Sequence, residues 1–108
     1  MNQFKVVSTE IYDKTPDYMV TLSWLDNNEP SVHITKVKNF NKTVFTQLQE
    51  VMAVLLLDLK EAGYKIVHTI VPDADHIKFA TRFGFMPKQL LINEDTGGNS
   101  ILMSQEVG

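Results

Sequence analysis

Lys65–Phe85 reads KIVHTIVPDADHIKFATRFGF, and the order of elements within it sets the architecture of the chain. Ile66 to Val71 is a mostly apolar run of strand length. A short helix starts at Asp73 or Asp75 and places Ile77, Ala80 and Phe83 on one face. Gly84 then supplies the left-handed residue that stops a helix, and Phe85 opens the next strand.

Upstream, Leu48, Val51, Met52, Leu55, Leu59 and Ala62 recur at helical spacing. Val54, Leu56 and Leu57 widen this apolar stripe, which predicts a helix buried between the sheet and a second surface. The start is expected near Thr43 or Thr46, because Thr46 and Gln49 have capping-box spacing; Gly63 ends the helix. Asn39 to Phe45 is the connecting loop. Three strands come before it. Phe4 to Tyr12 alternates, Lys14-Thr15-Pro16-Asp17 is a turn, and Tyr18 to Leu25 sets Tyr18, Val20, Leu22 and Trp24 on one face. Asp26 to Pro30 is a second turn, and Ser31 to Lys38 is the third strand. Downstream, Pro87 opens the last segment, where Gln89 to Asn93 and Asn99 to Gln105 form a hairpin around Glu94 to Gly98. The resulting order is β-β-β-α-β-α-β-β. The unit from Ser31 to Val71 should be a right-handed parallel crossover and the rest antiparallel, giving a mixed α+β sheet.

The 108 residues suffice for one domain, 1–108, with one modest core. A hydrophobic fraction of 44% and a charged fraction of 21% are ordinary for a globular protein. Formal net charge is −3 with no basic run, which argues against generic nucleic-acid or anionic-membrane binding. There is no cysteine, so disulfides, thiolate catalysis and Cys-based zinc sites are excluded. The N-terminal MNQFKVVSTEIY does not read as a signal peptide, and no apolar run is long enough to span a membrane. No repeat or linker divides the chain.

The strand–helix–Gly-Phe pattern at Lys65–Phe85, with the element order around it, resembles the C-terminal half of the GNAT N-acyltransferase superfamily. The resemblance implies a GNAT-like mixed sheet lacking the usual N-terminal substrate helices. It also implies an acyl-CoA cleft between the third strand and the Ile66 strand, with the pyrophosphate on a Gly-rich loop at the start of the long helix. Carried onto this chain, the cofactor-binding positions are Val37, Lys38, Lys42, Thr43, Val44, Phe45 and Val71, with acetyl-CoA as the ligand.

The residues at those positions depart from the family pattern. Asn39 to Thr46 contains no Gly, and Val44 and Phe45 stand where backbone amides would have to approach phosphates. Lys36, Lys38 and Lys42 are flexible charges whose plainer role is surface solvation. The position of the family's Asn is Asp73, which reads better as a helix cap. The position of its acid Tyr is Ala80, which cannot transfer a proton.

His33, His68 and His76 could each serve as a base, but none has an identified partner, and a structural role is the plainer reading. Their spacing suggests no metal site. Glu10, Asp58 and Glu61 form no acid–base pair, and Asp58 and Glu61 read as helix surface. Trp24, Tyr12, Tyr18 and Phe40 are either a recognition patch or core. No catalytic residue, metal or cofactor is therefore expected.

Asp75 to Gly84, DHIKFATRFG, also resembles the helix of small GNAT-like proteins of tailed bacteriophages. This implies a phage-encoded, non-catalytic protein acting through protein partners or self-association, in virion assembly or on the host. Its location would then be the host cytoplasm or the virion. The alternative is a divergent acetyl-CoA-dependent N-acyltransferase. The loop decides between them: amides facing an open cleft favour the enzyme, and Phe40, Val44 or Phe45 filling the cleft favours the binding protein.

Overall fold

Tyr18, Val20 and Leu22, one face of the clearest alternation in the chain, are buried beneath the long helix, and the rest of the sheet is laid out around that strand. The structure, a computed structural model, describes residues 6–92 and 98–107. Its elements are β1 (Val6–Thr15), β2 (Tyr18–Leu25), β3 (Pro30–Thr35), α1 (Lys42–Glu61), β4 (Ile66–Val71), α2 (Ala74–Thr81), β5 (Met86–Ile92) and β6 (Asn99–Glu106). The expected start of the first strand at Phe4, and the hairpin residues Asn93 to Gly97, lie outside the described residues. The element order is the expected one.

The strands form one sheet in the order β1-β2-β3-β4-β6-β5. β3 and β4 are parallel and the other neighbours antiparallel. Val44, Leu48, Met52, Leu55 and Leu59 of α1, with Ala80 of α2 and Phe83 after it, join Val20, Leu22, Val32, Val67 and Met103 in one core. Burial of the Val, Leu, Met and Phe side chains among them stabilises by about 1.5–3 kcal/mol each. Gly63 and Gly84 end the two helices with φ of +93° and +95°, the left-handed region that glycine enters without steric cost. No described helix is long and apolar enough to cross a membrane.

Several boundaries differ from expectation. β1 continues to Thr15, because the turn is tight: the Asp17 and Tyr18 amides both donate to Thr15 Oγ1, at 3.2 and 3.3 Å. β3 stops at Thr35 rather than Lys38, because Lys36 and Asn39 adopt left-handed φ of +55° and +49° and break the extended chain. α1 begins at Lys42, not at Thr43 or Thr46. Its cap is Asn41, whose Oδ1 accepts from the Val44 amide at 2.9 Å. Thr46 lies inside the helix and donates its hydroxyl back to the Lys42 carbonyl at 2.9 Å. α1 is buried on one face only, since Val54 and Leu57 are exposed. β5 starts at Met86 and runs through Pro87, with a register shift between Pro87 and Gln89 where proline has no N–H to give to the ladder.

Candidate cleft between β3 and β4

A parallel pair normally builds a continuous ladder, but β3 and β4 share a single register position, Ser31 opposite His68. Beyond it the two strands enclose a cavity of about 210 Å³. Val32, Ile34, Met52, Val71, Phe79 and Phe83 make its wall mostly apolar, and His33, Thr69 and His76 also border it. Ala80, at the position where the resemblance places an acid Tyr, lines the cavity and brings no titratable group to it.

His33 is half-buried in this wall. Burial pushes its imidazole below the ordinary value of 6.5, against a hydrogen bond with the Ile70 backbone. His76 lies at the rim, exposed, with Nδ1 at 2.7 Å from Asp73 Oδ1. The same oxygen accepts from the His76 amide at 3.0 Å, so Asp73 is the cap of α2, as its position in the sequence suggested. These bonds to His76 hold the Asp73 carboxyl below its usual range.

Between the cavity and the start of α1 stands a closed ring of four phenylalanines. Phe40 meets Phe79 edge-on at 5.5 Å, Phe79 meets Phe83 at 5.1 Å, Phe83 meets Phe45 at 5.4 Å, and Phe45 meets Phe40 at 6.1 Å. These separations suit favourable aromatic packing. The Arg82 guanidinium lies 6.0 Å above the Phe45 ring. Outside the ring, Ile34, Val37, Phe40, Asp75, His76 and Phe79 line a shallower recess.

The positions carried over for CoA are thus dispersed. Val71 lines the cavity and Val37 the outer recess. Lys38 lies in a recess beside the β1–β2 turn. Lys42 and Thr43 sit over the exposed side of α1 with Thr46 and Gln47. Val44 is only 3% exposed and belongs to the core. At the helix start the Val44 amide is taken by Asn41 Oδ1 and the Phe45 amide by the Asn41 carbonyl. This turn therefore does not fit a diphosphate: two of its amides are spent on the cap, and its side chains are packed inward. Among the described residues, no cluster of three or more His, Asp or Glu could hold a metal ion.

His68 has partners that its sequence neighbours did not reveal. Nδ1 lies 2.6 Å from Ser104 Oγ, and Nε2 lies 3.0 Å from Glu29 Oε1. The Asn27 side-chain amide donates to the same Glu29 oxygen at 2.6 Å. A Ser–His–Glu series suggests nucleophilic chemistry, but Ser104 is 2% exposed and none of the three lines the cleft. The network ties the β2–β3 turn to β4 and β6. Glu29 and Ser104 lie 39 and 36 residues from His68, so no local pattern announces it. Asp58, expected as plain surface, accepts from the Tyr12 hydroxyl at 2.5 Å and joins α1 to β1. Burial and the Asp58 carboxylate together push that phenol up to about 12. Of the four aromatics weighed as a patch, Tyr18 is core, Trp24 stacks on Tyr64 at 5.1 Å, Tyr12 bonds Asp58, and Phe40 caps the phenylalanine ring.

No protein-family model and no curated protein sequence matches the chain. Solved structures do. One is a protein assigned as an acetyltransferase from Agrobacterium tumefaciens, with a TM-score of 0.55 and 9% identity, covering 92% of this chain and 73% of that one. Another is the ribosomal-protein-S18-alanine N-acetyltransferase from Escherichia coli, with a TM-score of 0.53 and 12% identity, covering 88% of this chain and 72% of that one. At such identities the likeness is one of fold, and the chain accordingly has the mixed α+β, GNAT-like fold of acetyltransferases.

Proposed function

We propose that this is a non-catalytic protein on a GNAT-like scaffold that acts by contact with other protein surfaces. The observation that carries the reading is the ring of Phe40, Phe45, Phe79 and Phe83 between the strand gap and the start of α1. A CoA molecule reaching from the gap to that helix would have to break this packing and would then meet a turn whose Val44 and Phe45 amides are already bonded. The loss of a titratable side chain at Ala80 supports the same reading. Exposed apolar residues on the two edge strands, Val6, Val7 and Ile11 on β1 and Met86, Leu90 and Ile92 on β5, offer contact surface. The likeness of Asp75 to Gly84 to phage proteins carries the further part of the proposal, a phage-encoded product acting in the host cytoplasm or in the virion.

The second reading, a divergent acetyl-CoA-dependent N-acyltransferase, is favoured by one observation: none of Phe40, Val44 and Phe45 lines the cavity itself, which stays open beside the half-buried His33. Calorimetric titration with acetyl-CoA and free CoA separates the two. The proposal expects no binding up to millimolar ligand, a free energy weaker than about −4 kcal/mol. Micromolar binding would overturn it and establish the cleft as a cofactor site.

A further inference from the structure

The chain carries a formal charge of −3, yet Lys14, Lys36 and Lys38 converge on one recess of about 220 Å³ beside the β1–β2 turn, with no carboxylate in its lining. We propose that this recess binds a phosphate group. None of its lining residues borders the cavity between β3 and β4, so the recess is separate from that cavity, and of the positions carried over for CoA it contains Lys38 alone.

Four observations carry the proposal. First, among the described residues none of the three lysines is paired with a carboxylate. Three lysines lining one concavity raise its potential for an anion in a way that scattered, paired lysines do not, and Asp13 and Asp17 adjoin the recess without entering its lining. Second, the two walls are fixed to each other: the Lys38 amide donates to the Asp17 carbonyl at 2.7 Å, which joins the β3–α1 linker to the turn. The lysine stems therefore start from a braced backbone. Third, Thr15 Oγ1 already accepts from the Asp17 and Tyr18 amides. Both lone pairs are engaged, and its hydroxyl hydrogen is left to donate. The Tyr18 hydroxyl, by contrast, is committed to Asp13 Oδ2 at 2.9 Å.

Fourth, Lys36 holds φ at +55°. A left-handed backbone costs a side-chain-bearing residue roughly 1–2 kcal/mol, and glycine would occupy this bend without that strain. The bend that carries this strain places Lys36 in the lining of the recess.

The proposal is tested on the ¹⁵N-labelled full chain, titrated with sodium phosphate at constant ionic strength set by sodium chloride. Saturable shifts of the Thr15, Lys36 and Lys38 amides are expected. The triple variant Lys14→Gln, Lys36→Gln, Lys38→Gln should bind at least about tenfold more weakly, with the rest of its spectrum unchanged. A parallel titration with N-acetyl-O-phosphoserine amide identifies the source of the group: saturable shifts at the same amides assign the site to a phosphorylated side chain as well as to the free ion, and shifts with inorganic phosphate alone assign it to the free ion. Absence of saturable shifts with both probes, or equal shifts in the triple variant, would overturn the proposal.

Discussion

Ser31 and Ser104 flank His68 on neighbouring strands, and both are buried, yet their hydroxyls have opposite fates. Ser104 Oγ bonds His68, whereas Ser31 Oγ has no partner. Ser104→Ala should therefore lower stability by about 1–3 kcal/mol, and Ser31→Ala should be neutral or slightly stabilising, because it removes a desolvated hydroxyl at no cost in bonds. Urea denaturation of the two variants checks the contrast, and equal losses would refute it. The two helix-stop glycines differ in the same way. A Cβ at Gly63 meets nothing within 4 Å, while one at Gly84 would stand 2.8 Å from Gln105 Oε1, on a side chain whose Nε2 donates to the Phe83 carbonyl at 2.8 Å. Gly84→Ala should cost roughly 1 kcal/mol more than Gly63→Ala in the same assay. His33 sets a pH dependence. Its folded pKa is lowered, so the folded protein binds fewer protons there than the unfolded chain. Its contribution to stability is complete above 6.5 and is lost as pH falls below that value towards the lowered one. Replacing it by Gln should flatten the decline in the urea midpoint between about pH 7.5 and pH 5.5.

At the scale of elements, β2 and β4 were legible to the residue, because alternation and an apolar run each report directly on a buried strand. The ends of β3 and α1 were not. The Thr46–Gln49 spacing is a genuine capping signature, but the chain reaches helical geometry five residues earlier, where the Asn41 side-chain Oδ1 accepts from the Val44 amide. Both signals are local; which of them forms depends on where the left-handed residues Lys36 and Asn39 turn the linker. Asn41→Ala should accordingly destabilise by about 1 kcal/mol and Thr46→Ala by much less. Helical content and unfolding midpoints of the pair decide the matter; a larger loss at Thr46 would restore the later start. The phenylalanine ring shows the same limit. Phe79 and Phe83 are spaced for one helix face, but nothing local joins them to Phe40 and Phe45. Likewise the absence of Gly before α1 and of Tyr at Ala80 was plain from the sequence, whereas the dispersal of the CoA positions into separate recesses depended on tertiary packing.

At the scale of the molecule, both edges of the sheet carry exposed apolar side chains. On β5, the apolar Met86, Leu90 and Ile92 are tempered by Lys88, by the missing amide of Pro87 and by the register shift between Pro87 and Gln89. If this edge is a contact surface, sedimentation velocity should show concentration-dependent association that Leu90→Lys abolishes; a monomer at every concentration would remove β5 as a self-association edge. The join between β3 and β4 has a different consequence. With one rung between them, the three-stranded halves β1-β2-β3 and β4-β6-β5 are held together by the side chains that α1 and α2 pack across them, by the Glu29–His68 contact and by the bond of His33 to the Ile70 backbone. The sheet is then two laminates glued by a common backing rather than one woven cloth. Deuterium should enter first at the amides of Val32 to Thr35 that face the join, while the interior strands β2 and β6 should stay protected until the whole chain unfolds.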